Sequence, residues 1–238
     1  MVWTQTISNE PTPATTPEQE ETASLTDEWK HNSGGLLTSP VIAGPSVFLG
    51  VVDQQQIIAC DRQTGKVQWQ FTAGGRIDCP PTIEKQYCLF GSRDGWVYCL
   101  RSADGQLVWK NRVAPRDKRI LAYGQLESIW PVHGGILVHN GQVFCLTGRH
   151  AAADGGLRLH HLDLLTGKKL WSTSATTTEC VGTAVVADGL VFASGGYPKH
   201  ETVGVRADGS GEVVWRNGVR IYVPSLLAYQ GHVYTVSD

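Results

Sequence analysis

This sequence predicts an all-β fold assembled from repeated four-stranded antiparallel units, and three observations predict it. A turn motif closed by tryptophan recurs as Ala59-Cys-Asp61-Arg-Gln-Thr-Gly65-Lys-Val-Gln-Trp69, Arg101-Ser-Ala-Asp-Gly105-Gln-Leu-Val-Trp109, Asp163-Leu-Leu-Thr-Gly167-Lys-Lys-Leu-Trp171 and Asp208-Gly-Ser-Gly-Glu-Val-Val-Trp215. Counting from Trp29, the closing tryptophans are 40, 40, 62 and 44 residues apart, a period that marks propeller-like arrays. No stretch of ten or more residues carries a helical period. Together they predict a β-propeller of about four blades plus a partial one, an incomplete ring.

Each unit repeats one order of elements. A proline-led apolar strand comes first, as in Ser39-Pro-Val-Ile, Cys79-Pro-Pro-Thr-Ile, Gly182-Thr-Ala-Val-Val and Pro224-Ser-Leu-Leu-Ala. A short turn follows, often with glycine, as at Asn140-Gly and Asp188-Gly, where φ > 0 must be accepted. The second strand is aromatic or β-branched (Val47-Phe-Leu-Gly50; Tyr87-Cys-Leu-Phe-Gly91; Val143-Phe-Cys-Leu-Thr; Val191-Phe-Ala-Ser-Gly195). The third, as in Gln56-Ile-Ile-Ala-Cys60, leads into the Asp–Gly turn, and the fourth ends on the tryptophan. Asp suits that turn because its carboxylate binds the backbone two and three residues on, and Gly because it tolerates a left-handed backbone. The chain ends where a third strand is due, so the ring is expected to continue in a longer protein or to be completed by another copy. Open blade edges of that kind invite self-association.

Charge is unevenly spread. Residues 1–28 hold six acids and no Lys or Arg, rich in Pro, Thr and Glu, and read as a disordered acidic tail or linker. The remaining chain, 29–238, holds 20 basic against 16 acidic residues, without the basic cluster that nucleic acid requires. No apolar run reaches 18 residues, so no spanning helix is expected, and Met-Val-Trp-Thr-Gln-Thr-Ile-Ser carries no signal-peptide pattern. Of the cysteines Cys60, Cys79, Cys88, Cys99, Cys145 and Cys180, Cys88 and Cys145 share one strand slot and Cys60 and Cys99 another, and no C-x-x-C pair occurs. They read as small buried hydrophobes rather than disulfides or a zinc site.

The third unit carries about 22 extra residues, in 112–133. Long loops on a rigid scaffold often carry function, and here Trp130 and Tyr123 offer stacking faces with Arg116, Arg119, Glu127 and His133 beside them. The plainer and preferred reading is that this loop pins the end of the ring. His160-His161 lie on one strand, so their side chains face opposite ways and cannot share an ion; packing is expected. His133 and His139 flank a Gly-Gly turn with no nearby carboxylate or cysteine in sequence. The glycine pairs match neither a dinucleotide nor a P-loop pattern, and no G-x-S-x-G or H-E-x-x-H occurs. No residue is therefore assigned as catalytic, cofactor-binding or metal-binding.

The segment from Ala59 to Trp69 resembles the tryptophan-docking repeat of the pyrroloquinoline quinone (PQQ)-type propellers, Ala-x-Asp-x-x-Thr-Gly-Lys-x-x-Trp, at every fixed position. The third copy keeps Asp163, Thr166, Gly167, Lys168 and Trp171 but has His161 in the Ala slot. The second keeps Gly105 and Trp109 with Cys99 there, and the copy ending at Trp215 is degenerate. The resemblance covers roughly residues 29–238 and implies that each tryptophan packs between its own blade and the next. It implies two functions. One branch oxidises alcohols or sugars with PQQ and Ca²⁺, typically beside a vicinal Cys-Cys pair that this sequence lacks. The other is non-enzymatic and includes envelope scaffolds such as the outer-membrane-protein assembly lipoprotein and uncharacterised bacterial members. The expectation is a scaffold that binds a protein or small ligand, without cofactor, in the periplasm or envelope. The alternative is a fragment of a PQQ- and calcium-dependent quinoprotein dehydrogenase, and a third is a sensory or docking module of a larger protein.

Overall fold

The computed structural model describes residues 36–122, 124–149, 154–176, 184–195, 200–219, 221 and 226–236. The acidic segment 1–28, Trp29, Tyr123 and Cys180 lie outside the described residues.

Twenty strands form four four-stranded antiparallel blades and two hairpins. Blade 1 comprises β1 (Val41–Ala43), β2 (Ser46–Val51), β3 (Gln56–Asp61) and β4 (Val67–Thr72). Blade 2 comprises β5 (Thr82–Glu84), β6 (Tyr87–Gly91), β7 (Trp96–Arg101) and β8 (Leu107–Arg112). An inserted hairpin, β9 (Arg119–Ala122) and β10 (Gln125–Ser128), precedes blade 3. Blade 3 contains β11 (Leu137–His139), β12 (Gln142–Thr147), β13 (Leu157–Asp163) and β14 (Lys169–Thr176). Blade 4 contains β15 (Val185–Ala187), β16 (Leu190–Gly195), β17 (Glu201–Arg206) and β18 (Val213–Asn217). The hairpin β19 (Leu227–Tyr229) and β20 (His232–Tyr234) opens a fifth. Every blade is a meander in chain order, as expected of an incomplete propeller.

The first turns of blades 3 and 4 and of the last hairpin are tight for a local reason. Asn140-Gly141, Asp188-Gly189 and Gln230-Gly231 all have positive φ at both positions, the backbone whose twist matches a two-residue hairpin. The core lies in the seams between blades. Strand alternation makes each blade apolar on both faces. In blade 2, Cys88, Phe90, Tyr98 and Leu100 pack on Phe48, Ile57, Ala59 and Trp69 of blade 1. Its Leu89, Val97, Cys99 and Trp109 pack on Val143, Cys145 and Leu162 of blade 3. The five described cysteines are free thiols, and burial raises Cys60 to about 11 and Cys99 to about 12.

One feature was not anticipated: a β-bulge just before every docking tryptophan. Ala59 pairs with Trp69 while Cys60 pairs with Val67, so Gln68 is extra, and Val108, Leu170 and Val214 are extra in the other blades. A bulge twists the strand and re-aims the next side chain, here the tryptophan, toward the following blade. The insertion in 112–133 also holds a hairpin rather than an irregular loop; Gly124, at φ 74°, lies at its tip.

Candidate functional site

The docking motif shows how the blades are joined. Asp61 Oδ1 accepts from the backbone N–H of Gln63 (3.1 Å) and Thr64 (2.8 Å) and from the Thr64 hydroxyl (2.8 Å). Asp163 receives Thr166 and Asp208 receives Ser210 in the same way. These bonds favour the ionised form and lower all three carboxyl groups below their usual range. Asp104 instead holds Arg101 and the Gln106 N–H. The acids shape turns.

The tryptophans then cross the seams. Trp69 Nε1 donates to Ser102 O of blade 2 at 2.9 Å, and Trp109 Nε1 to Leu164 O of blade 3 at 2.8 Å. A Cβ at Gly105 would lie 2.5 Å from Trp69 Cε3, and one at Gly167 equally close to Trp109, so only glycine lets the indole lie on the turn. Trp215 departs from the expected packing. It is 40% exposed, and no turn of a further blade covers it among the described residues. It lines an apolar groove of about 440 Å³ with Phe192, Ile221, Leu226 and Val233.

The inserted hairpin crosses three blades as a strap. Gln125 donates to Asp53 O (3.1 Å) and accepts from Gln55 Nε2 (3.2 Å) in blade 1. The Ser128 N–H donates to Arg93 O (2.8 Å) and the Val132 N–H to Ser92 O (3.1 Å) in blade 2. Trp130 Nε1 donates to Asp154 O in blade 3 at 2.8 Å. Glu127, wholly buried, receives Arg93 Nη1 of blade 2 at 3.1 Å on both oxygens and Arg149 Nη2 of blade 3 at 2.6 Å. Arg93 also pairs with Asp78, and Arg76 with Asp53 at 3.2 Å. The carboxylate is thus the buried pin of the strap, which Gly95 admits because its missing side chain leaves room for Ser128.

Of the residues singled out in 112–133, the structure brings Glu127 and Trp130 to the ring and turns Arg119 outward to Asp117 (3.1 Å). The backbone carbonyl of His133 accepts from Cys79 Sγ at 3.2 Å. The outward face of the strap carries residues that sequence reasoning passed over. Leu121 and Leu126 oppose each other across the hairpin, 78% and 54% exposed, with Arg116, Lys118 and Arg119 exposed nearby. The signal was an apolar pair flanking Tyr123-Gly124 with no buried partner in the repeat.

His160 and His161 are both buried, on opposite faces of β13. His160 Nε2 meets Thr147 Oγ1 at 2.7 Å, and burial, with Lys169 and Arg158 nearby, lowers it to about 3. His161 stacks on Phe144, ring centroids 4.7 Å apart, and meets Trp171 edge-on at 5.3 Å. No group of three or more His, Cys, Asp or Glu suited to a metal occurs among the described residues. No helix among them is long and apolar enough to cross a membrane.

Bulged four-stranded blades joined by indoles lying on glycine turns define a tryptophan-docked propeller. The family model described as outer membrane protein assembly factor BamB matches residues 2–238, including the stretch read as a tail, and the chain belongs to that PQQ-repeat family. BamB from Moraxella catarrhalis is similar in structure at 19% identity and a TM-score of 0.63, over 85% of this chain and 56% of that one. A quinohemoprotein alcohol dehydrogenase from Comamonas testosteroni is similar at 14% identity and 0.64, over 84% and 39%. A europium-containing methanol dehydrogenase is similar at 13% identity and 0.62, over 78% and 42%. These likenesses show the fold, and the chain spans about half the length of such structures or less. No curated protein matches the sequence.

Proposed function

We propose that this chain is a non-catalytic scaffold that binds a protein partner in the cell envelope through the strap between blades 2 and 3. The carrying observation is the outward pair Leu121 and Leu126, held on a hairpin that is tied to three blades. Exposed leucines on a pre-ordered hairpin lose little entropy on binding, and the cations Arg116, Lys118 and Arg119 favour an acidic segment with an apolar anchor. Membership of the BamB family supports a protein-binding role, and the test is direct. A photo-crosslinker at position 119 should give one discrete adduct in envelope fractions. Changing Leu121→Asp with Leu126→Asp should abolish both that adduct and saturable binding of the purified partner. An adduct unchanged by the double substitution overturns the reading.

The quinoprotein reading draws on the fold shared with the dehydrogenases. Stoichiometric uptake of PQQ with Ca²⁺, with dye reduction by an alcohol or aldose, would replace the scaffold by an oxidoreductase. Self-association belongs to the same proposal, through the open edge of blade 4 at the exposed Trp215.

A further inference from the structure

The seam between blades 3 and 4 is built differently from the two before it, in three respects. The turn that receives the tryptophan is one residue longer: Arg206 N bonds Glu212 O, six residues on, where Arg101 N bonds Gln106 O and Asp163 N bonds Lys168 O, five on. A Cβ at Gly211 would consequently stand 3.3 Å from Trp171 Cε3, against 2.5 Å in the earlier seams. The Trp171 indole N–H finds no acceptor among the described residues, whereas Trp69 and Trp109 each bond a backbone carbonyl of the next blade. Finally, the residue opposite the tryptophan, Ala59 in blade 1 and Cys99 in blade 2, is His161.

His161 is 3% exposed, and neither ring nitrogen has a hydrogen-bond partner among the described residues. Among the described residues, its ring contacts are Phe144 on one side and Trp171 on the other. The residues of blade 4 that fill this seam are Ala184, Val191, Ala193, Val203 and Val205, with Ala207 and Val213 at its rim, and none titrates. On its own strand the charged neighbour is Asp163, already engaged with Thr166. On the receiving turn Arg206 pairs with Glu212, and Asp208 with Ser210. A proton on His161 would therefore place a charge among apolar groups, attracted by Asp163 but with no hydrogen-bond acceptor among the described residues.

We propose that this seam is an acid-labile joint, in which protonation of His161 releases Trp171 from the blade 4 turn and lets the two blades part. Burial lowers the imidazole below 6.5, so the closed seam holds fewer protons than the open one. Its stability is complete above pH 6.5 and is lost as pH falls from there toward the depressed value, with one proton setting an upper limit of about tenfold in opening per pH unit. The joint would let a repeat scaffold change the angle between its blades without unfolding either.

Hydrogen exchange on the whole chain tests this. After correction for intrinsic rates, protection of β14 and β17 amides should fall between pH 6.5 and 5.5, by at most about fivefold for one proton, while β3 and β7 amides hold. His161→Ala restores the residue used in blade 1 and should remove that dependence; His161→Asn serves the same purpose if the alanine variant folds poorly. His160 titrates on the other face of β13, so His160→Gln should keep the effect. Equal protection at both pH values, or loss of the effect in His160→Gln rather than in the His161 variants, would overturn the proposal.

Discussion

Gly105 and Gly167 are glycine because the indole of the preceding blade occupies the space where a Cβ would stand. Gly105 also sits at φ 70°, so alanine there meets both a rigid ring and a strained backbone. Gly105→Ala should cost about 2–4 kcal/mol. Gly44→Ala, at φ 58° with nothing within 4 Å, should cost about 1 kcal/mol. Urea midpoints of the two variants separate steric from conformational cost. The tryptophans rank by what covers them. Trp69, 9% exposed and bonded to blade 2, should lose about 3–5 kcal/mol on change to alanine. Trp215, 40% exposed, should lose less than half as much in the same denaturation measurement.

Of the ties that hold the strap, the one between charged groups is the buried acid Glu127. Glu127 neutralises guanidinium groups from two blades, and both arginines are themselves largely buried, their side chains 17% and 23% exposed. Glu127→Gln leaves the two cations without their shared counter-charge, and a loss of about 3 kcal/mol is expected. Limited trypsin digestion should then cut at Arg116, Lys118 or Arg119 well before it cuts the parent. Arg119→Ala removes an exposed pair with Asp117 and a weak electrostatic influence on Tyr98, and should leave stability within about 1 kcal/mol of the parent. If Glu127→Gln resists trypsin as well as the parent does, the carboxylate is not what holds the strap.

For the whole molecule, the seams carry the stability, because each blade is covered only where a neighbour lies against it. Trp215 is 40% exposed at the edge of an apolar groove whose other walls, Phe192, Ile221 and Leu226, are buried. Light scattering across a concentration series should show association. Trp215→Lys should reduce it without shifting the urea midpoint by more than about 1 kcal/mol equivalent. An unchanged apparent mass in that variant would place the contact elsewhere.

The repeat was legible in the sequence because it depends on local chemistry. The Asp–Thr–Gly turns, the paired positive-φ residues and the alternating apolar strands are dictated by neighbours within a few residues, so blades and their order could be read from the chain. The same holds for the separation of His160 from His161, which period-two geometry alone decides. What lies between blades could not be read that way. The bulges that aim the tryptophans, the looser seam at Trp171 and the exposure of Trp215 follow from register and from which turn meets which ring. Glu127 shows the limit most clearly. In sequence it sits in a polar loop beside Trp130, which reads either as a ligand contact or, preferably, as a loop pinning the end of the ring, with no sign of which groups it would meet. Only the fold brings Arg93 and Arg149, 34 residues before and 22 after, onto the same carboxylate. Short-range backbone preferences are written residue by residue, whereas the cost of burying a charge depends on partners that only tertiary packing supplies.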